Sequence, residues 1–375
     1  MSLRGLLSRA SSVRDLFSPN ENKVASATVH MRVALVVPDH RGHRLAYVAM
    51  LVRQARASSV DVIILGTQEG RESDEFTMHL SSYGELNWIA KSELPIRSLL
   101  KMAQQLNIDR IIFPDGDKIV SRLILSRLRS SVDIALLIMR PSPARGSLGR
   151  PRWAIKSAAI WVLRRRRVKA FNLTSSLKVD VRPYELSDPI DLAIDVPVAS
   201  EESALFTIGV VGSITRRKNL PIIIEALGLS GQESRLIVAG RIDPDAAREL
   251  ADAIHRSGVG SEQIQIRNQL LTDRDLDLTV AEVDCVILAH SNEGPSGIMG
   301  RAAALGTKVL ASGALSLKAD AANWPDGAIW CELSSASIAT AMREISARAK
   351  PSPLAVSNSK EFAAKLLGIS NGPIE

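Results

Sequence analysis

Acidic residues are missing from one long stretch of this 375-residue chain: between Asp133 and Asp180 there is none. Cysteine is scarce too. Cys285 and Cys331 are the only two, and each sits inside an apolar strand-like run. They read as small buried hydrophobes in a reducing compartment, not as a disulfide framework. Aromatic residues make up 4% of the chain. That is too few for the stacking platforms of nucleic-acid binders, and no reading motif for nucleic acid occurs, so no such partner is expected. No apolar run approaches the ~18 residues needed to cross a bilayer. The opening Met1-Ser2-Leu3-Arg4-Gly5-Leu6-Leu7 has no sustained apolar core, so no secretory signal is expected and the chain is placed in the cytoplasm. No Cys/His spacing resembles a zinc site, and His40 and His43 have no third ligand nearby, so no metal is expected. With 46% hydrophobic and 23% charged residues, the composition is globular and excludes disordered, collagen-like and coiled-coil chains.

What fills the acid-free gap is positive charge: Arg140, Arg145, Arg150, Arg152, Lys156, Arg164, Arg165, Arg166, Arg167, Lys169 and Lys178. The formal net charge of +7 is therefore the property of one segment, and a localised cluster implies a local anionic partner. Within it, the apolar stretch from Trp153 to Leu163 runs into four consecutive arginines. At 100° per residue its apolar side chains spread around most of a helix and form no clean stripe. Two readings stand. One is a packed helix whose basic end complements the helix dipole. The other is docking on anionic lipid through Arg150, Arg152, Lys156, Arg164, Arg165, Arg166, Arg167 and Lys169, each cation adding about 1 kcal/mol. The second would place a peripheral protein on the inner membrane face.

Residues 1–30 are Ser-rich and weakly patterned and read as a poorly ordered tail. Short β-branched runs then alternate with helical patterns. Strands are expected at 33–37, 60–65, 86–90, 110–113 and 134–139, with helices near 44–57, 72–82, 95–106, 118–129 and 151–167. The polar, Pro-bearing stretch 176–202 reads as an interdomain connection. The alternation restarts with strands at 207–211, 235–239, 263–267, 284–289, 307–311 and 328–331. Helices follow near 219–228, 244–257, 273–282, 297–305 and 335–348, with a last one at 360–367. Such alternation indicates parallel sheets covered on both faces. The expected architecture is α/β, with two tandem doubly wound Rossmann-like domains facing across a cleft: 31–200 and 201–350, closed by 351–375. Ligands then bind at the C-terminal strand edges.

Two loops of the second half carry the chemistry. Gly212-Ser213-Ile214-Thr215-Arg216-Arg217-Lys218-Asn219 lies between a strand and a helix, where glycine permits close backbone approach and cations suit a diphosphate. It reads equally as a solvated basic loop. His290-Ser291-Asn292-Glu293-Gly294-Pro295-Ser296-Gly297 leads into the helix 297–305. Ser296 and Gly297 fall at its N-terminus, where free N–H groups attract an anion, and Glu293 can accept from sugar hydroxyls. The plainer alternative is a helix cap beside an exposed carboxylate.

Together these loops resemble the nucleotide-sugar half of the GT-B glycosyltransferases, family 4 in particular. The pattern of a basic Lys-Asn pair before a helix and a strand ending in V-A-G matches Arg217-Lys218-Asn219 and Leu236-Ile237-Val238-Ala239-Gly240. The Glu293-Gly294 loop and Ala304-Leu305-Gly306 follow in the family order, and the last helix resembles the family's closing helix, which crosses back to the first domain. In the first half, Gly42-His43-Arg44 is similar to the family's Gly-rich acceptor loop, and Pro114-Asp115-Gly116-Asp117 stands at the expected cleft edge. Asp115 and Asp117 equally suit a turn and a helix cap.

The resemblance implies a retaining transfer of sugar from a nucleoside-diphosphate sugar to a glycan or lipid-linked acceptor, with no cofactor beyond that donor. It implies that Gly212, Arg217, Lys218, Gly240, Glu293, Gly294, Ser296, Gly297 and Arg301 bind the donor. Lys218 would offset leaving-group charge, Glu293 would orient the sugar, and His43 and Asp117 would serve the acceptor side. One departure stands out: the family pairs two glutamates eight positions apart, and here the second position is Arg301. A guanidinium only donates, whereas a vicinal diol is held by an acceptor. Either ribose recognition differs, or Arg301 reaches a phosphate, or catalysis has been lost in a binding or scaffold subunit. A nucleotide-sugar epimerase of the same architecture is a further alternative. A dinucleotide oxidoreductase is disfavoured because Gly209-Val210-Val211-Gly212-Ser213-Ile214 lacks G-x-G-x-x-G spacing.

Overall fold

In the computed structural model, the residues described are 31–41, 44–91, 95–126, 132–143, 149–194, 205–356 and 359–369. Two parallel sheets organise them. The first contains β1 (Arg32–Val37), β2 (Asp61–Gly66), β3 (Asn87–Ala90), β4 (Arg110–Phe113), β5 (Asp133–Ile138), β6 (Lys169–Thr174) and β7 (Glu185–Ser187), in the order β3-β2-β1-β4-β5-β6-β7. The second contains β8 (Phe206–Val211), β9 (Ser234–Ala239), β10 (Ile264–Arg267), β11 (Cys285–His290), β12 (Lys308–Gly313) and β13 (Ala328–Cys331), in the order β10-β9-β8-β11-β12-β13. Every strand pairing is parallel, so each sheet needs helices on both faces. They are α1 (Arg44–Ala57), α2 (Gln68–Arg71), α3 (Asp74–His79), α4 (Ile96–Gln105), α5 (Val120–Leu125) and α6 (Gly149–Arg165) in the first half. In the second half they are α7 (Leu220–Ser230), α8 (Pro244–Ser257), α9 (Asp273–Glu282), α10 (Gly297–Leu305), α11 (Leu315–Asn323), α12 (Ser335–Ser346) and α13 (Ser359–Leu367).

The expected α/β architecture of two facing sheets is what the chain adopts. The central strands are short β-branched runs buried on both faces. Val33 to Val37, for example, are at most 3% exposed. Each such side chain contributes about 1.5–3 kcal/mol relative to exposure.

Five elements differ from expectation. The helix expected over 72–82 is shorter: α3 starts at Asp74, where the Ser73 hydroxyl accepts from the Phe76 amide at 3.1 Å, and ends at His79, while α2 precedes it outside the expected bounds. Two strands, β6 and β7, extend the first sheet, and β7 lies inside the stretch read as a connection. Helix α11 occupies a stretch where no element was expected. The tail 1–30 and residues 127–129 of the expected helix 118–129 lie outside the described residues.

The last helix packs on the first sheet's helices rather than the second's. Phe362, Ala363, Leu366 and Leu367 join the core beneath α1, and the buried Arg110 donates from Nη1 to the Leu366 carbonyl at 3.0 Å. Among the described residues no helix is long and apolar enough to cross a membrane.

Candidate active site

Both sheets reverse strand order beside their first strand, β1/β4 in one and β8/β11 in the other. Such switch points open a crevice at the carboxyl ends of the strands. The loops after β8 and β11 face those after β1, β4, β5 and β7 across a cavity of about 520 Å³. Of the residues singled out from the sequence, Gly212, Arg217, Lys218, Glu293, Gly294, Ser296 and Gly297 line this cavity from one side and Asp117 from the other. Gly240 and Arg301 line an adjoining chamber of about 150 Å³, which shares Tyr47, Asp188, Gly212 and Gly297 with the first. Gly42 and His43 lie outside the described residues. A larger groove of about 660 Å³ opens between α4 and α5, but its wall is mainly apolar and none of these residues reaches it.

Local chemistry explains how the basic loop is held. Asn219 adopts a left-handed conformation (φ 50°, ψ 43°) that asparagine tolerates better than most side chains. Its amide donates to the carbonyls of Ala289 at 2.8 Å and Arg217 at 2.9 Å. The Ser291 amide donates to the same Arg217 carbonyl at 3.2 Å. The loop after β8 is thereby stitched to the end of β11. Glycine is required where the loops after β8 and β9 touch. Gly240 has φ 135°, and a Cβ there would overlap the Gly212 carbonyl.

Lys218 points into the crevice, with Nζ donating to the Val211 carbonyl at 2.6 Å. Burial, and then the neighbouring Arg217 charge, push its pKa down to about 8. His290 lines the same wall, and its Nε2 is buried with no hydrogen-bond partner among the described residues. Burial, together with Lys218 and Arg217, pushes its pKa down to about 3, so it is a neutral imidazole at working pH. At the tip of α10 the Ser296 side chain makes no capping hydrogen bond. The first turn thus relies on other partners for its N–H groups.

Glu293 is engaged on the other side. Its two oxygens accept from the amides of Leu315 (3.1 Å) and Ser316 (2.9 Å), at the start of α11. The carboxylate caps a helix whose own N-cap residue, Ala314, has no side chain able to do so. Arg301, 9% exposed, is also committed: it ion-pairs with Asp277 and, from Nη2, with Asp273 at 2.8 Å. Both carboxylates come from α9. Among the eight cations of the basic segment, Lys156 pairs with Asp117 at 2.9 Å and Lys169 with Asp133 at 3.1 Å. Arg164 donates to the Ala170 carbonyl and lies over the Tyr184 ring. Arg166 donates to the Ile124 carbonyl at 3.2 Å, so these four make contacts within the protein, while Arg150, Arg152, Arg165 and Arg167 are exposed, Arg165 over the Trp161 ring.

Sequence reasoning missed several wall residues. Asp188 directly follows β7 and is 7% exposed; Tyr47 Oη donates to it at 2.7 Å. Burial pushes its pKa up to about 6, against the pull of Tyr47 and Arg301. Arg41 and Lys118 also line the first-sheet side, together with Arg44 of the Gly42-His43-Arg44 motif and Arg140 of the basic segment. A signal was present, since Arg41, Lys118 and Arg140 fall in the loops after β1, β4 and β5. Glu75 and His79 of α3 reach across the smaller chamber to Arg241 and Asp273, so the two halves are in direct polar contact.

No protein-family model matches the sequence, and neither does any curated protein. Solved structures do match. Anabaena HepE in complex with UDP is 13% identical, with a TM-score of 0.64, over 90% of this chain and 96% of that one. Sucrose-phosphate synthase from Thermosynechococcus elongatus is 14% identical, with a TM-score of 0.59, over 90% and 94%. A putative UDP-N-acetylglucosamine 2-epimerase from Listeria monocytogenes is 10% identical, with a TM-score of 0.56, over 90% and 94%. At these identities the likeness speaks for architecture: the chain has the GT-B fold, two Rossmann-like sheets with a crevice between their strand ends.

Proposed function

We propose that this protein transfers a sugar, with retention at the anomeric carbon, from a nucleoside-diphosphate sugar to a glycan or lipid-linked acceptor. One observation carries the reading. Arg217, Lys218 and the tip of α10, from two separate loops, converge on one cavity that Asp117 faces from the opposite sheet. Cations and a helix N-terminus placed around a leaving diphosphate stabilise the charge that develops as it departs. In the reaction the bond from the anomeric carbon to the phosphate oxygen breaks, and a bond from that carbon to the acceptor oxygen forms on the same face. The acceptor's hydroxyl proton passes to the departing phosphate oxygen, so no strong protein base is needed. His290, neutral at working pH, supplies a hydrogen-bonding nitrogen rather than a charge.

UDP-glucose, which HepE holds in a further complex, is the first donor to test. A specific donor should raise the melting temperature in a concentration-dependent way, and UDP should be released when acceptor is added. If calorimetry detects no binding of any common sugar nucleotide at millimolar concentration, the transferase reading is overturned in favour of a scaffold. One observation favours that second reading: both Glu293 oxygens are occupied by α11.

The acceptor side fits a membrane surface. Helix α6 turns Ile160 and Leu163 inward and leaves Ile155 (72%) and Trp161 (58%) exposed; Leu125 of the adjacent α5 is 82% exposed. The spread of apolar residues thus divides between a packed face and an open one. Arg150, Arg152, Arg165, Arg166 and Arg167 border the open face, and the acid-free gap leaves no carboxylate along α6. Anionic vesicles should therefore capture the protein in flotation while neutral phosphatidylcholine vesicles do not. An Ile155→Ser/Trp161→Ser variant should lose most of that capture. Equal partition between the two vesicle types would end the idea.

A further inference from the structure

We infer that the acceptor carries a phosphate group, held at the mouth of the cleft by Arg41, Lys118 and Arg140. This rests on the transferase reading and names the acceptor's chemistry. The second-sheet side already provides for the donor diphosphate, with Arg217, Lys218 and the α10 tip around one point. The first-sheet side adds cations that this diphosphate does not account for.

Their local balance is uneven. Arg44 is satisfied by Asp115 at 2.7 Å, and Asp117 by Lys156. Arg41 and Lys118 share a single carboxylate, Asp39, at 3.4 and 3.6 Å, and Arg44 also approaches it at 3.4 Å. Contacts that long to one shared carboxylate leave most of the positive charge uncompensated. The side chains of Arg41 and Lys118 are 78% and 74% exposed, so they stand at the entrance rather than at the base. Arg140 has no carboxylate partner among the described residues. It is also close enough to Arg217 that, after burial, its charge is the second cause holding the Arg217 pKa below the ordinary value. Two guanidinium groups facing each other across an aqueous cleft repel. An anion between or beside them removes that cost.

The site lies on the same side as α6: Lys156 of that helix donates both to Asp117 and to the Arg140 carbonyl, at 2.8 Å. The cavity that Asp117 lines begins beside these cations, so it can receive the hydroxyl-bearing end of a phosphate ester held here. A soluble sugar phosphate and a lipid-linked phosphate share this chemistry.

The test uses the full chain saturated with UDP, titrated by calorimetry with glycerol 3-phosphate. A second titration uses phosphatidylcholine nanodiscs containing phosphatidic acid, with phosphatidylglycerol nanodiscs of equal charge as control. The UDP-loaded protein should bind at least one phosphate monoester probe. An Arg41→Ala/Lys118→Ala/Arg140→Ala variant should lose about tenfold or more in that affinity. Its UDP affinity should stay within about threefold of the parent, since these side chains make no contact with the second-sheet cradle other than the Arg140–Arg217 repulsion. Binding of glycerol 3-phosphate identifies a soluble phosphate as sufficient, and binding of phosphatidic acid alone identifies a lipid source. The inference is overturned if neither probe binds the UDP-loaded protein. It is also overturned if the variant loses UDP affinity while keeping probe affinity, because the cations then serve the donor. Failure of UDP itself to bind strikes the transferase reading separately, whatever the phosphate probes do.

Discussion

Replacing Lys218 by methionine should weaken UDP binding about 100-fold. A hydrogen bond from a buried cation to a charged phosphate is worth about 1.5–3 kcal/mol, and 2.7 kcal/mol corresponds to roughly two decades in Kd. The variant should fold normally. Methionine is nearly the same length, and the position is one where burial already disfavours the charge, with the pKa pushed down to about 8. The pH dependence makes the assignment specific. In the free protein Lys218 loses its proton as pH rises through about 8, so UDP affinity should fall above that point and level off below it. The methionine variant should show no such break. For stability the sign is opposite. Between pH 8 and the ordinary lysine value the unfolded chain holds a proton that the native Lys218 has released. Lys218 therefore makes stability rise with pH across that window, and this contribution vanishes in the variant. Calorimetric titration of UDP from pH 7 to 9.5 measures the first effect, and thermal melts over the same range the second. Unchanged UDP affinity in the variant would remove the diphosphate assignment.

Arg301 is expected to matter most for folding. Asp277 is fully buried, held by the Arg301 guanidinium and by the Ala193 amide at 2.6 Å. Burial already raises its pKa against the pull of Arg301. Removing the guanidinium as Arg301→Met leaves a buried carboxylate without its cation, which costs about 3–5 kcal/mol. Melting should drop well outside experimental error. The loss should shrink as pH falls, because protonation relieves an acid whose folded pKa is raised. An Arg301→Met/Asp277→Leu variant should recover much of the loss. Melting unchanged in the single variant would show that the α9 ion pairs are dispensable. Arg301→Glu, which restores the residue type of the resembled family, should be worse than methionine, since it sets a third carboxylate beside Asp273 and Asp277. The charge at position 301 is thus tied to the two acids on α9, a constraint that no reading of the α10 loop alone reveals.

Much of the fold was legible because its signals are local. Continuous buried β-branched runs marked eleven of the thirteen strands among the described residues. Pro244 at the start of α8 and Gly306 at the end of α10 punctuated helices within a residue of where they fall. The strand β7 was hidden because three residues carry no periodicity; pairing with β6 makes it a strand. Helix α11 was hidden because its cap comes from Glu293, 22 residues earlier in the chain. The break between α2 and α3 was legible in principle, since Ser73 precedes an acidic first turn.

The amino-acid order by itself determined the alternation of elements, the acid-free basic segment and the two loops that meet at the second sheet's switch point. Each depends on neighbours in the chain, through backbone propensity, periodicity or runs of like charge. Only the tertiary structure decided which charges remain available. It assigned Arg301 to α9, Glu293 to α11, Lys156 to Asp117 and Asp188 to Tyr47. It left Arg41, Lys118 and Arg140 crowded at the cleft mouth, and Ile155 and Trp161 facing out. The physical reason is that a side chain's charge and exposure are set by what packs against it. In a doubly wound fold those neighbours come from strands and helices distant in sequence.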